Sequence, residues 1–175
     1  MHPIVYDVAV SLDGFISGPD GDVSRFAHEG PVVDDYTARL ATYSTAIMGR
    51  ATYEFGYRFG LEPGQNPYAL MTTHVFSDTL QLPKDSEVIG QPRVTRAAIA
   101  RVKQDATGPI YLCGGGAFAG ILLDLGLIDL VRLKRAPVVL GGGVALFGNA
   151  GVSSLRRLAE PKIYASGYLL EEFAP

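Results

Sequence analysis

The stretch that most constrains the fold is a short apolar strand that runs into three glycines and then into a helix. The strand is predicted at 109–113, the glycines are Gly114, Gly115 and Gly116, and the helix follows directly. Backbone N–H groups at a helix N-terminus bind phosphate readily, and glycine lets the backbone approach a pyrophosphate closely. The pattern predicts an α/β protein with a nucleotide site at this turn. The alternative is a close contact between helix and strand without a ligand.

The sequence matches two nucleotide-binding motifs only in part. The stretch from Gly114 to Ala119 fits the loose dinucleotide fingerprint, but the next strand runs into Lys134 rather than the acid that binds ribose hydroxyls. A Rossmann-type dehydrogenase that binds through this turn alone therefore stays open as a weaker alternative. The spacing from Gly143 to Gly148 mimics a P-loop, but Asn149 stands where the phosphate-binding lysine is needed, which excludes a P-loop NTPase.

The spacing of apolar residues predicts strands that alternate with helices and end in an antiparallel pair. Strands are predicted at 4–11, 45–48, 68–73, 109–113 and 128–134, helices from Gly30-Pro31, near Arg50, at 95–105 and after Gly116, and hairpin strands near 158–165 and 168–173. The sheet should then be parallel in the middle with an antiparallel edge. A length of 175 residues predicts one domain, 1–175.

Composition and charge exclude several classes of function. A net charge of −3 is a poor match to nucleic acid. One cysteine excludes an internal disulfide framework and a cysteine-rich zinc site, and no His, Asp or Glu spacing indicates a metal. No targeting or membrane segment is recognised, so we expect a cytoplasmic protein whose partner is a small molecule.

Four segments, in order along almost the whole chain, carry a family resemblance. They are Ser11-Leu12-Asp13-Gly14-Phe15-Ile16, then 46–54 (AIMGRATYE), then 113–118 (CGGGAF), and finally Leu127-Ile128-Asp129 with 136–143 (APVVLGGG). The second and third resemble dihydrofolate reductase. The first and fourth are more similar to the reductase domain of bifunctional riboflavin-biosynthesis deaminase-reductases and its stand-alone relatives. The resemblance implies a three-layer α/β fold with a mixed, mostly parallel central sheet flanked by helices, and a C-terminal antiparallel hairpin.

The resemblance also implies NADPH and hydride transfer to a small pterin-, pyrimidine- or flavin-like heterocycle. An activity like that of 5-amino-6-(5-phosphoribosylamino)uracil reductase is one form of it, and homodimers are common among such proteins. By position, the implied cofactor contacts are Ala9, Ile16, Gly49, Arg50, Ala51, Thr52, Thr72, Thr73, His74, Gly114, Gly115, Gly116, Ala117 and Phe118. It further implies a cis peptide between the first two of the three glycines, and a loop over 13–22 that covers the cofactor.

Two of these implied contacts have a structural alternative. Arg50 offers a charged fork for phosphate, but it can equally pair with Glu54 at i+4. His74 can favour the extra phosphate of NADPH, or it can be a loop histidine without a ligand. At Ala117 the chain lacks the arginine that follows the third glycine in dihydrofolate reductase, which weakens the preference for NADPH over NADH.

The proton donor is the least determined part of the site. Dihydrofolate reductase keeps a carboxylate on its first helix, and here the matching position falls on Val33, beside Asp34 and Asp35. An acid in the first turn of a helix also stabilises that helix without any catalysis. Asp7 is a third candidate, because an acid on a central strand is costly unless it is paired or used. The competing hypothesis is a module that binds nucleotide without turnover, in which replacing these acids leaves cofactor binding nearly intact.

Overall fold

The computed structural model describes residues 1–175, which form a nine-stranded sheet and a separate two-stranded one. The strands are β1 (Ile4–Val10), β2 (Phe15–Ser17), β3 (Thr45–Gly49), β4 (Thr72–Phe76), β5 (Ile89–Gln91), β6 (Ile110–Gly114), β7 (Leu130–Arg135), β8 (Val144–Ala145), β9 (Arg156–Arg157), β10 (Lys162–Ile163) and β11 (Leu169–Ala174). The α-helices are α1 (Pro31–Leu40), α2 (Arg50–Phe55), α3 (Arg96–Asp105) and α4 (Gly116–Asp124). None of these helices has the length and apolar character needed to cross a membrane.

The large sheet places the first strand of the chain at its centre. The strand order is β10-β11-β7-β1-β6-β3-β4-β5, and β9 also pairs with β11. Every pairing from β7 across to β5 is parallel, whereas β11 runs antiparallel to β7, β9 and β10. The predicted mixed, mostly parallel sheet with a C-terminal antiparallel hairpin is therefore confirmed.

Alternating side chains of β1 divide the core into two halves. Ile4, Tyr6 and Val10 belong to the cluster that α3 and α4 cover, whereas Val5 belongs to the cluster on the side of α1 and α2. Successive residues of a strand point to opposite faces of a sheet, so β1 buries apolar side chains on both faces, as is typical of a central parallel strand. The result is the expected order of three layers, with helices on either side of the sheet.

Two glycines one turn apart on α4 let another backbone lie directly on the helix. A Cβ added at Gly116 would overlap the Ala145 carbonyl oxygen, and one added at Gly120 would overlap the carbonyl oxygen of Phe147. The buried Tyr6 hydroxyl donates to the Leu146 carbonyl at 3.0 Å and ties the same segment to β1. The segment from β8 onward is thereby fixed over the start of α4.

Two predicted strands differ from the structure for local reasons. The strand expected at 68–73 begins only at Thr72, because residues 68–71 form a turn in which Met71 N–H donates to the Tyr68 carbonyl. The strand expected near 158–165 is reduced to β10, while β9 lies just before the expected range, with Pro161 between the two. Proline has no N–H to give to a sheet ladder, so pairing stops there.

Candidate active site

The larger cavity lies at the carboxyl ends of β3, β4 and β6, between the starts of α2 and α4. Its volume is about 530 Å³, within the roughly 300–1,000 Å³ typical of ligand pockets. Most of its wall is apolar and comes from Val8, Ile16, Val23, Phe55, Phe76, Phe118, Ile121 and Val144. Ligands of open α/β sheets bind outside the carboxyl ends of the strands, which is where this cavity is.

One wall of this cavity is the turn from β3 into α2. Gly49, Arg50, Ala51 and Thr52 all line it, and Arg50 is the one charged residue in the lining. The guanidinium of Arg50 donates to Glu54 at 2.8 Å, so the ion pair that the i, i+4 spacing allows is formed. It still presents charge to the cavity, since nearly half of the Arg50 side chain is exposed.

The opposite wall is the glycine turn that precedes α4. Gly115, Gly116, Ala117 and Phe118 line the cavity, and the peptide between Gly114 and Gly115 is cis, as the resemblance implies. The first N–H groups of a helix have no partner within the helix and form its positive end. A Cβ at Gly115 would stand 3.0 Å from the Thr52 hydroxyl, so a side chain there would fill the space between the two walls.

The segment after β1 covers the cavity from above. Ile16, Ser17 and Gly21 line it, which agrees with the expected position of the 13–22 loop. The Asp13 carboxylate holds this segment by accepting hydrogen bonds from the Ser11 hydroxyl and from the N–H groups of Leu140 and Gly141. The Ser11 hydroxyl and these two N–H groups lower the pKa of Asp13 to about 2.

A smaller cavity of about 260 Å³ lies against the other face of β1. Its lining residues are Ala9, Phe26, Ala27, His28, Val32, Val33, Tyr36, Lys134 and Tyr168. Val8 lines the larger cavity and Ala9, the next residue, lines the smaller one. Because successive strand residues point to opposite faces, the two cavities flank β1 at the same level.

A buried cluster of charges adjoins the smaller cavity. Asp7 is 1% exposed, and its carboxylate accepts from Lys134 Nζ at 2.7 Å and from Arg39 Nε at 2.9 Å. Arg132 Nη1 stands 3.5 Å from the same carboxylate, and the Tyr43 hydroxyl donates to it at 3.3 Å. Burial alone would raise the pKa of Asp7, but the adjacent ammonium and guanidinium groups outweigh it and hold that pKa below its usual value.

The two acids predicted on the first helix lie outside both cavities. Asp34 is exposed in the first turn of α1. The Asp35 carboxylate accepts from Lys162 Nζ and, at 2.7 Å, from the Tyr164 hydroxyl. These hydrogen bonds lower the pKa of Asp35, so it is ionised at neutral pH and holds no proton to donate. Of the three predicted carboxylates, Asp7 alone contacts a side chain that lines a cavity.

The structure does not bring Thr72, Thr73 and His74 to the larger cavity. They stand at the start of β4, whereas Phe76 at its carboxyl end lines the cavity. The buried Thr73 hydroxyl donates to the Asn66 side chain, and the His74 ring contacts the Gln91 amide at 3.1 Å. Burial lowers the pKa of His74, so at neutral pH it supplies no cation for a phosphate.

Sequence analysis missed two parts of the site. The first is Thr79, whose hydroxyl accepts from Arg50 Nη1 at 2.7 Å just beyond β4. The polar run Ser77-Asp78-Thr79 directly after an apolar strand was the available signal. The second is Lys134, one of three basic residues in β7, which the sequence motif marks only as a departure from the dinucleotide fingerprint.

The sheet order, the glycine turn and the cavity over the strand ends are those of a dihydrofolate-reductase-like fold. Within it, the chain belongs to the RibD C-terminal domain family, whose model matches residues 3–170. The uncharacterized protein YwjB of Bacillus subtilis (strain 168) is 34% identical over 141 residues, which cover 80% of this chain and 79% of YwjB.

Two solved structures show the same fold over nearly their whole length. A Shewanella sp. PV-4 protein provisionally assigned to riboflavin biosynthesis has a TM-score of 0.81 at 24% identity, covering 99% of this chain and 98% of that one. Dihydrofolate reductase from Enterococcus faecalis, in complex with NADP(H), has a TM-score of 0.68 at 18% identity, covering 98% and 95%. At these identities the likeness concerns the fold.

Proposed function

We propose that the protein is an NADPH-dependent reductase that transfers a hydride to a small pterin-, pyrimidine- or flavin-like heterocycle. The observation that carries this proposal is the pair of cavities on either side of β1, one lined by Val8 and the other by Ala9. β1 pairs with β6 only up to Tyr6, so a hydride donor in one cavity and an acceptor in the other can meet in the opening between these two strands, beside Val8 and Ala9. Bringing two reactants together in this way is a large part of catalysis.

The residues of the larger cavity fit a dinucleotide. The Arg50 guanidinium, the Thr52 hydroxyl and the first N–H groups of α4 are donors suited to phosphate oxygens. The apolar walls formed by Phe55, Phe76 and Phe118 suit flat rings. The dihydrofolate reductase of the same fold is complexed with NADP(H), which supports the choice of cofactor.

The first test is thermal unfolding with NADPH and, in parallel, with NADH. A ligand at 100 times its Kd stabilises by about 2.7 kcal/mol, which for a chain of this size raises Tm by roughly 5–10 °C. We expect that shift with NADPH and a smaller one after Arg50→Ala. Arg101→Ala is the matched control, because Arg101 is exposed on α3, away from the cavity. No shift with either nucleotide would contradict the proposal.

The second test is turnover, followed as loss of NADPH absorbance with three probe classes. The probes are dihydrofolate and dihydrobiopterin, 5-amino-6-(5-phosphoribosylamino)uracil, and FMN. Oxidation of NADPH that depends on one of these probes supports a reductase. The expected homodimer is tested separately, by light scattering at increasing protein concentration.

One observation favours a second candidate, a nucleotide-binding module without turnover. Neither cavity has an aspartate or glutamate in its lining, whereas dihydrofolate reductase uses a carboxylate for substrate binding and protonation. Under this candidate NADPH raises Tm, and no probe is reduced. Only the turnover assay therefore distinguishes a reductase from a module that binds NADPH without turnover.

A further inference from the structure

The smaller cavity presents one buried ammonium group to any molecule it holds. Lys134 lies on β7 between Ala9 of β1 and Leu170 of β11, and its side chain is 8% exposed. The other side chains around it are largely apolar or aromatic. A buried ammonium is costly and persists only where it is paired or used.

The surroundings of Lys134 leave one of its three N–H bonds for a ligand. One N–H donates to Asp7 Oδ1 at 2.7 Å. A second faces the ring of Tyr36, whose centroid is 3.7 Å from Nζ. An ammonium has three donors, and the third has no partner in the protein, so it is available to the cavity that Lys134 lines.

The charges around this ammonium make it ready to lose a proton. Asp7 faces it from β1, while Arg132 from β7 and Arg39 from α1 share that same carboxylate. Beyond them, Glu172 of β11 holds Arg132. Three cations around one anion leave an excess of positive charge in a buried place. Burial, together with the two guanidinium groups, lowers the pKa of Lys134 to about 8, even though Asp7 opposes the shift.

Two further elements packed against the site carry titratable groups. From α1, Asp35 is held by Lys162, and the Tyr36 hydroxyl is hydrogen-bonded to Tyr111 of β6 at 2.6 Å. Burial raises the pKa of the Cys113 thiol, which also lies on β6. None of these three groups is an acid that could give up a proton near neutral pH. The other titratable side chain in the lining besides the tyrosines is His28, which is exposed and belongs to the segment before α1.

We propose that Lys134 is the proton donor of the reduction and that Asp7 is the positioning residue that orients its ammonium group. This inference rests on the proposed function and names the group that completes it. Bound NADPH would supply a hydride, which would bond to the carbon of a C=N group in the heterocycle. The C=N π electrons move to the nitrogen, which takes a proton from Nζ of Lys134. NADP⁺, the reduced heterocycle and a neutral amine result, and water returns the proton to the amine.

The first experiment compares two replacements of the lysine, using whichever probe the wild-type protein reduces. Lys134→Met removes both charge and proton, and general acids contribute about 10²–10⁴-fold, so we expect kcat to fall at least about 100-fold. Lys134→Arg keeps the charge but cannot release a proton at neutral pH. We expect it to keep KM within about threefold and to lose kcat. Lys84→Met, at an exposed lysine outside both cavities, is the control that should keep both constants.

The pH profile separates a proton donor from a structural lysine. Wild-type kcat should fall as pH rises through the pKa of Lys134, about 8, because only the ammonium form can donate. Asp7→Asn removes the anion that favours the ammonium, so the fall should move to lower pH. Arg39→Gln removes a repelling cation, so the fall should move to higher pH. If Asp7→Asn does not fold, the shift expected for Arg39→Gln still tests the proposal.

A measurement without turnover distinguishes failure of this role from failure of the proposed function. The chain has four lysines, Lys84, Lys103, Lys134 and Lys162, so [13Cε]lysine NMR gives four signals, and Lys134→Arg assigns one of them. We expect the Lys134 signal to titrate at a lower pH than the other three. If the Lys134 signal titrated together with the other three, or if Lys134→Met kept its kcat, Lys134 would not be the proton donor. The proposed function would still stand. A wild-type protein that reduces no probe would overturn the proposed function, and this role with it.

Discussion

Glycine is required at position 116 by the backbone that lies against it. Gly116 begins α4 with ordinary helical geometry, but a Cβ there would overlap the carbonyl oxygen of Ala145. Since a backbone atom cannot rotate away, either α4 or β8 has to move. We expect Gly116→Ala to lower the free energy of unfolding by about 1–3 kcal/mol and to weaken NADPH binding.

Chemical denaturation and the NADPH-induced Tm shift measure these two effects. Gly142→Ala is the matched control, because no atom lies within 4 Å of a Cβ at that position. If Gly116→Ala unfolded at the same denaturant concentration as the control, the close approach of the two backbones would have no energetic role.

Asp13 is expected to stabilise the covering segment in a pH-dependent way. Its folded pKa of about 2 lies below the unfolded value of about 3.9. The stabilisation is therefore fully present above the unfolded pKa and is lost as pH falls through the folded pKa. Asp13→Asn replaces an acceptor with a group that cannot accept from both N–H partners.

We expect the Tm of Asp13→Asn to lie below that of the wild type at pH 6, and the gap to narrow as the pH falls from about 4 towards about 2. Asp85→Asn, at an exposed acid, serves as the control. A gap that stays constant over this range would show that the carboxylate charge at position 13 does not hold the segment.

One buried hydroxyl contributes to holding the segment after β8 against the sheet. Tyr6 is fully buried, and its hydroxyl donates to the Leu146 carbonyl. Tyr6→Phe keeps the ring and leaves that carbonyl without its donor, which costs about 1–3 kcal/mol. Urea denaturation measures the loss, and Tyr57→Phe, at a partly exposed hydroxyl without a protein partner, should cost much less. Equal losses in both variants would contradict this assignment.

Elements that are specified by residues close together in the sequence were predictable. Elements that depend on residues far apart in the sequence were not. In α4, Phe118 and Leu122 are buried as the 3.6-residue period requires, but Ile121 on the predicted apolar face is 48% exposed because a cavity lies against it. Just before β4, the apolar residues 68–71 form a turn, while Thr73 within β4 is buried and its hydroxyl donates to the Asn66 side chain. Nothing in the local pattern of residues reveals such a partner.

The same distinction applies to the site as a whole. The glycine turn and the start of α2 follow from short motifs, and both line the larger cavity. The pair of Asp7 and Lys134 joins residues 127 positions apart, so no spacing rule connects them. Asp7 was recognisable as a buried acid that needs a partner, but its partner depends on β1 and β7 being neighbours in the sheet.

The buried lysine gives the whole molecule a predictable pH dependence. Its folded pKa of about 8 lies below the unfolded value of about 10.4. Between these values the unfolded chain binds more protons, so the contribution of Lys134 to stability rises with pH. We expect the wild type to gain Tm relative to Lys134→Met between pH 8 and pH 9.5. Tyrosines that titrate at higher pH are present in both proteins, so they cancel in the comparison. A difference that does not change with pH would show that Lys134 titrates normally.

The central place of β1 has a consequence for the nascent chain on the ribosome. Its partners lie at residues 110–112 of β6 and 130–135 of β7, so β1 has no neighbour in the large sheet until about a hundred more residues have been synthesised. At about 5–20 residues per second, this wait is on the order of ten seconds. During that time an exposed apolar strand is open to mispairing with other chains. Asp7 interrupts the apolar run of β1 with a charge, and charges in such segments discourage aggregation. The carboxylate that orients a lysine in the folded protein thus also protects its own strand before folding.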